Sequence, residues 1–282
     1  MTLPEFVYTV LLKPRPLRAV ANATLRALTP AVVERYGAHI HLNPQDPVVS
    51  GALALRVYEK PETRFFLNAI QPGATFLDVG ANIGYYSALA LAHIGPHGRV
   101  VSVEPDPEAF GYLQRTVAAN GGERATLVNK GLADVPGTLR LYRNASNRGD
   151  NRLYANDLAA SFVEVEVARA DDVLAGLDID QVDLIKMDVQ GFEGKVLSGL
   201  ERTIRNSDSL VLLSEFWPWG LREAGSDPLE VLARLQGLGL QLHELTADGS
   251  TVPLTDHAAF IGRYTGRKYA NIVARRKPAK LR

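Results

Sequence analysis

Cysteine is absent from this chain of 282 residues. Its absence excludes a disulfide framework, a thiolate zinc site, an iron–sulfur cluster and any chemistry that attacks through a cysteine thiolate. An excess of charge is missing too. Lys plus Arg and Asp plus Glu stand at 31 each, so no global field gathers nucleic acid or an acidic membrane onto the whole surface. Long apolar runs are also missing: the opening MTLPEFVYTVLLKPRPLRAV is interrupted by Lys13, Pro14, Arg15 and Pro16, too early for a signal-peptide core or a spanning helix. No transmembrane segment and a cytoplasmic location are expected. What remains is 46% apolar and 22% charged, which excludes a disordered chain or a coiled coil.

Two textures divide the chain. Residues 1–60 carry prolines at 4, 14, 16, 30, 44 and 47 and no strong strand, so they read as an N-terminal helical arm or cap laid over a domain spanning residues 61–282. This arm either packs on its own domain, exchanges between subunits of a homo-oligomer, or lies on a membrane surface, since Arg15, Arg18 and Arg26 alternate with apolar residues. From Gln71 onward, short apolar runs at 75–79, 99–103, 182–188 and 209–216 alternate with helix-length segments at 85–93, 107–120, 192–204 and 228–238. Such alternation predicts an α/β fold, a mostly parallel sheet with helices on both faces. A hairpin or loop insertion around residues 132–181 breaks the rhythm, with strand-like runs at 138–143 and 162–169 around NASNRGDNRLY. It reads either as an elaboration of the substrate side or as an excursion hairpin on a sheet edge.

The strongest local signal is TFLDVGANIGYYSALAL. A buried strand runs into Gly80 and Gly84 and then directly into a helix, with Asp78 just before the turn. A carboxylate there repels a pyrophosphate and attracts a cationic group, which argues against a nicotinamide dinucleotide. Glu104 closes the next strand, RVVSVEPD, about twenty residues past the glycine turn, where a carboxylate accepts both hydrogen bonds from a ribose diol. Asp134, in NKGLADVPG, is a candidate for the amino group of an adenine. Glycine turn, ribose acid and adenine acid together describe an adenosyl ligand without phosphates, such as S-adenosylmethionine.

FLDVGANIGYYS, VVSVEPDPEAFGYLQRTVAAN and DLIKMDVQGFEGKVLSGL, in that order, resemble the S-adenosylmethionine-dependent methyltransferases of the FkbM family. The resemblance covers roughly residues 59–216. It implies a Rossmann-like class I methyltransferase fold, a seven-stranded sheet with its last strand antiparallel, and methylation of hydroxyl groups, often on sugars or natural products. It also implies that Asp78, Gly80, Asn82 and Gly84 line the methionine part of the cofactor and that Glu104 holds its ribose. Ala81, Pro105, Leu132 and Asp188 complete the expected cofactor wall. The family pattern K-x-D-x-E-G-x-E is broken at one place, where Gln190 replaces the first Glu.

An alcohol acceptor must lose a proton during an in-line displacement, and ligands of open α/β sheets bind beyond the strand ends. The candidate bases are therefore Asp188, with Lys186 on the same strand face to hold its charge, and Glu215 in LLSEFWP. The competing roles are a helix cap for Asp188 and a structural ion pair for Glu215. The two together are also candidate ligands for a Mg²⁺ that would acidify the hydroxyl. His39 and His41 are further candidate bases, against a packing role. The cluster of Phe216, Trp217, Pro218 and Trp219 offers flat faces to a sugar ring or fills a core. The acid-free tail with Arg263, Arg267, Lys268, Arg275, Arg276, Lys277, Lys280 and Arg282 meets an anionic acceptor or is simply solvated. Missing cysteine excludes cytosine C5 methylation, and the turn Asp188-Val189-Gln190-Gly191 lacks the Pro-Pro-aromatic pattern of base-amine methylation. The expected acceptor is a small-molecule or glycan hydroxyl and not nucleic acid; the rivals are an RNA or protein methyltransferase and a non-catalytic cofactor-binding scaffold.

Overall fold

The computed structural model describes residues 28–144 and 147–276. Most of the expected N-terminal arm, including Arg15, Arg18 and Arg26, lies outside the described residues, as do Lys277, Lys280 and Arg282 of the tail. Strands β1 (Val32–Arg35) and β2 (Ala38–His41) form an antiparallel hairpin. Its turn residues Tyr36 and Gly37 have φ of 51° and 79°, as a two-residue hairpin turn requires. Residues 1–60 thus contain a hairpin where only short helices and turns were expected. Its strands are four residues each, and only the buried positions Val33, Ala38 and Ile40 carry the alternation. Helices α1 (Val49–Ala54) and α2 (Lys60–Ala69) follow.

The main domain then alternates as its apolar runs dictate: β3 (Thr75–Val79), α3 (Tyr85–His93), β4 (Arg99–Val103), α4 (Pro107–Ala118) and β5 (Ala125–Val128). Helix α4 starts where it does because the Asp106 carboxylate accepts from the Glu108 N–H and Pro107 occupies the first turn. The insertion is a sheet of its own, built from β6 (Gly131–Leu132), β7 (Gly137–Asn144) and β8 (Ala159–Ala168) in the order β6-β8-β7. It is not an edge hairpin of the main sheet. The chain returns through α5 (Ala170–Ala175), β9 (Leu184–Met187), α6 (Glu193–Ser198), α7 (Glu201–Asn206), β10 (Val211–Phe216), α8 (Pro218–Glu223), α9 (Pro228–Gly237), β11 (Leu240–Leu245), β12 (Thr251–Pro253), α10 (His257–Arg263) and β13 (Ala270–Arg276).

The main sheet has the order β12-β11-β13-β10-β9-β3-β4-β5. Strands β3, β4, β5, β9 and β10 are parallel, and β13 runs antiparallel to both neighbours. This is the class I methyltransferase arrangement, with the short β12 added as an eighth strand at the β11 edge where seven were expected. Among the described residues no helix is long and apolar enough to cross a membrane. Chain order reverses at β3, flanked by β4 on one side and β9 on the other, and the crevice beyond these strand ends is where such sheets bind ligands.

Alternation along the strands decides which groups reach that crevice. Phe76 and Asp78 pair with Leu184 and Lys186, and Lys186 pairs with Leu213, so Asp78, Lys186, Asp188 and Glu215 share one face. Deeper positions on that face, Phe76, Leu184 and Leu213, pack with Phe66, Leu89 and the hairpin's Ile40. The opposite face buries Leu77, Ile185, Met187 and Leu212 under Val196, Leu232 and Phe260. Four ionisable side chains on a buried face cost free energy unless each finds a partner or a ligand.

Candidate active site

Beyond the ends of β3, β4 and β9 lies a cleft of about 970 Å³, counting space open to solvent. Asp78, Gly80, Ala81, Asn82, Glu104, Pro105, Leu132 and Asp188, all anticipated from sequence, line it. The turn after β3 is tight for a physical reason. A Cβ on Gly80, whose φ is 78°, would stand 2.1 Å from the Asp188 carbonyl oxygen, so only glycine fits. Asn82 follows at φ 51°, a left-handed conformation that asparagine tolerates.

This turn aims the Asn82 N–H at Glu104, whose Oε2 accepts it at 2.8 Å while Oε1 accepts the Asp106 N–H at 2.8 Å. Two backbone donors therefore fix the carboxyl, and each oxygen keeps a lone pair for a diol in the cleft. Burial pushes the Glu104 carboxyl up to about 8, against the pull of those N–H donors. Asp78 is tied down from the other side: its Oδ2 accepts from Ser87 Oγ at 2.6 Å, and Ser87 Oγ lies 2.7 Å from Ser102 Oγ. Burial pushes Asp78 up to about 6, with the Ser87 hydrogen bonds and Lys186 opposing.

Lys186 is 3% exposed, lies 3.8 Å from Asp188 Oδ2 and sits 5.2 Å from the centre of the Tyr86 ring. Burial lowers its pKa, but the carboxylates of Asp188, Glu59, Glu215 and Asp78 outweigh that and push it up to about 12. Lys186 therefore stays a cation at any working pH. Asp188 does not cap the following helix. The buried Glu193, first residue of α6, ties down the turn that precedes the helix, its Oε1 accepting the N–H groups of Val189 and Gly191 at 3.2 and 3.3 Å. Asp188 Oδ1 instead accepts from Gln190 Nε2 at 2.6 Å.

The departure at Gln190 thus has a chemical consequence. A glutamate there would set a second carboxylate against Asp188, where Gln190 donates a hydrogen bond. One like charge at such a distance costs about 1–4 kcal/mol, depending on the local dielectric. Gln190→Glu is therefore expected to lower methyl-transfer turnover by about tenfold or more at neutral pH, read in a steady-state assay, and an unchanged rate would count against this role for Gln190.

Some expectations are corrected. Asp134 does not line the cleft: it follows the two-residue β6 and turns to Lys195, with Oδ2 3.1 Å from Nζ, so it is not placed to bind an adenine amine. Gly84 lies beneath the cleft at φ 88°, where a Cβ would press on Leu113 and Thr116, and it supports the start of α3. Glu215 lies on β10, one strand beyond β9, and does not line the cleft. Burial, reinforced by the nearby charges of Asp188 and Glu193, pushes its carboxyl well above the usual range. The magnesium site does not fit. Among the described residues no group of three or more His, Asp or Glu side chains is arranged to hold an ion, and Asp188 Oδ2 faces the Lys186 ammonium.

Three other candidates resolve to structure. His39 and His41 lie on β2 with their N–H groups bonded to Asn120 and Thr116, and neither lines the cleft. Phe216 and Trp217 are buried, Trp217 donating to the Gly266 carbonyl at 2.8 Å and lying under Arg152, whereas Trp219 is exposed, and none of the cluster lines the cleft. In the tail, Arg263 pairs with Glu244 at 2.5 Å and Arg276 caps carbonyls of Ile204, Arg205, Ser207 and Leu238.

Other lining residues carried little sequence signal. Tyr86 donates to Glu59 Oε2 at 2.6 Å, and Glu59 itself stands at φ 35° ahead of α2. The insertion contributes Arg148, Gly149, Asn151 and Leu153, so its loop borders the cleft. In the sequence only the insertion loop NASNRGDNRLY points toward these.

A family model for the FkbM methyltransferase domain matches residues 78–242, more than half of the chain. The chain belongs to the FkbM methyltransferase family. Methyltransferase sdnD of Sordaria araneosa is 28% identical over 178 residues, covering 52% of this chain and 68% of that protein. The 2-O-methyltransferase NoeI of Sinorhizobium fredii is 26% identical over 152 residues, covering 48% of this chain and 60% of its own length. The 31-O-demethyl-FK506 methyltransferase FkbM of Streptomyces tacrolimicus is 29% identical over 161 residues, covering 47% and 61%. The matches thus span about three-fifths to two-thirds of these relatives, and the family model's span contains the whole Gly80 turn, Glu104 and Asp188 of this FkbM-family protein.

Proposed function

We propose that this FkbM-family protein is an S-adenosylmethionine-dependent O-methyltransferase acting on a hydroxyl of a small molecule, sugar or natural product. One juxtaposition carries the reading: Glu104, fixed by two backbone N–H groups, and Asp188, fixed by Gln190 and Lys186, line the same cleft on either side of the Gly80 turn. Two of the relatives are named for O-methylation, NoeI as a 2-O-methyltransferase and FkbM as the 31-O-demethyl-FK506 methyltransferase. The cofactor supplies an electrophilic methyl group on a sulfonium when bound.

The chain's own residues do the rest. Glu104 accepts the ribose hydroxyls, the backbone at Gly80 and Ala81 lies against the methionine portion, and Asp78 beneath the turn contributes negative potential toward the sulfonium. Pro105 and Leu132 give apolar faces to the base. Asp188 takes the proton from the acceptor hydroxyl at its free lone pairs, while Lys186 and Gln190 hold its carboxylate in place.

Calorimetry with S-adenosylhomocysteine tests this. The wild type is expected to bind it, and Glu104→Ala to weaken binding by about ten- to hundredfold, the cost of hydrogen bonds to a charged acceptor. Unchanged binding in that variant, or none in the wild type, overturns the reading.

A further inference from the structure

A second cavity, about 940 Å³ with space open to solvent, lies between the end of the β1–β2 hairpin and the segment joining α1 to α2. It shares Tyr58 and Tyr85 with the cofactor cleft. These two rings meet edge to face at 5.3 Å, so a thin aromatic wall separates the two spaces. Tyr58 lines the cofactor cleft together with Asp188, which places this wall on the side of the candidate base.

The far side of the wall is cationic. Arg35 is held in place by the carbonyls of Leu53, Ala54 and Glu34, to which its guanidinium donates. Arg56 sits at φ 60° in the turn that closes α1, with its N–H on the Leu53 carbonyl at 3.1 Å. That turn sets the second guanidinium near the first: burial and the Arg56 charge both lower the Arg35 pKa. No carboxylate forms an ion pair with either arginine among the described residues. Glu34 is the one acid among the residues that line the cavity, against the two arginines, so positive charge prevails. Two adjacent guanidiniums without a counter-ion are a repulsive arrangement, and their planar donor forks match a phosphate or carboxylate. Of the tail arginines, Arg263 and Arg276 already serve Glu244 and backbone carbonyls.

We propose that this cavity is an anion-binding subsite for the methyl acceptor, where Arg35 and Arg56 grip a phosphate or carboxylate group while the reacting hydroxyl extends past Tyr58 and Tyr85 toward Asp188. The inference rests on the O-methyltransferase reading and narrows it to acceptors carrying an anionic group. The same chemistry has one other source, the carboxylate of the cofactor's methionine, and the test separates the two.

Inorganic pyrophosphate is titrated by calorimetry into wild type, Arg56→Ala and Arg56→Glu, with and without saturating S-adenosylhomocysteine. Arg56 is the residue to change, because it is exposed and its side chain holds no element together, whereas Arg35 anchors α1. The expected result is pyrophosphate binding to the wild type that persists with the cofactor product bound. Arg56→Ala weakens it by about ten- to hundredfold, Arg56→Glu abolishes it, and S-adenosylhomocysteine affinity stays the same in both. Wild type that binds no pyrophosphate, or Arg56→Ala that binds it equally well, overturns the subsite. Competition between the two ligands, or a loss of S-adenosylhomocysteine affinity in Arg56→Ala, assigns the arginines to the cofactor and overturns the acceptor role. Failure of the wild type to bind S-adenosylhomocysteine while it still binds pyrophosphate breaks the methyltransferase reading and leaves the anion site standing.

Discussion

Replacing Asp188 by asparagine is expected to lower kcat by about 100- to 10,000-fold, the range general-base assistance supplies, while S-adenosylhomocysteine affinity changes less than about threefold. Asparagine nearly matches aspartate in shape, and its side-chain oxygen still accepts the Gln190 Nε2 hydrogen bond that Asp188 receives at 2.6 Å. What it loses is the ability to take a proton. Lys186 keeps the neighbouring acids Glu59 and Asp78, so the buried ammonium is not orphaned and the fold survives the change. Methyl transfer to a hydroxyl acceptor chosen from a sugar and natural-product screen gives the rate, and thermal unfolding confirms that the variant is folded. A loss of less than about fivefold would show that the hydroxyl ionises without Asp188 and would sink the assignment. The split between an unchanged cofactor affinity and a collapsed kcat is what distinguishes a base from a wall residue.

The parallel core was legible because each of its strands is apolar on both faces and bounded by turn residues. Residues 75–79 and 99–103 could be read to the residue, as could helix 85–93. The segment read as one helix over 192–204 is two, α6 and α7, parted at Gly199, where a Cβ would stand 2.2 Å from the Ala133 carbonyl oxygen. That contact is made by a distant part of the chain, so no local periodicity announces it. The proposed cofactor residues on strand ends were legible for the same reason as the strands. Gly80, Asn82 and Glu104 lie within one β-α-β unit, β3 to β4, whose spacing is local. Asp134 failed because its partner, Lys195, is sixty-one positions away. The acceptor side was the least legible part. Tyr58, Glu59, Arg35 and Arg56 sit on a short hairpin and tight turns before the first core strand, and three residues there, Tyr36, Arg56 and Glu59, adopt positive φ without being glycine. Positive φ at tyrosine, arginine and glutamate leaves no compositional mark.

Lowering the pH from 8.5 to 5.5 is expected to stabilise the cofactor-free protein by a few kcal/mol, on the scale of about 1.4 kcal/mol per unit of pKa displacement. Burial pushes Glu104 up to about 8, Glu193 to about 7, and Asp46 and Asp78 each to about 6. In the unfolded chain these groups ionise near pH 4. Between pH 4 and 8 the native protein therefore holds protons that the unfolded chain has released, and stability falls as the pH rises through that window. The ionised forms are poorly served in the fold: Glu193 Oε2 and Asp46 Oδ2 are buried without a hydrogen-bond partner. Lys186, pushed up to about 12, titrates outside the window, and Asp248, lowered to about 2, acts below it. Urea unfolding at half-unit pH steps reads the effect, and a stability that is flat or rises with pH over this range contradicts it. Glu104→Gln isolates one group, since glutamine keeps the shape without the titration. That variant should lose about 1.4 kcal/mol per pH unit of slope across the window from about 4 to 8 and keep the slope contributed by Glu193, Asp46, Asp78 and Glu215, whose carboxyl burial also pushes well above the usual range. Ribose hydroxyls donating to Glu104 favour its ionised form. S-adenosylhomocysteine binding at pH 7 should therefore release a proton from the wild type and none from Glu104→Gln, seen as an enthalpy that depends on the ionisation heat of the buffer only in the wild type.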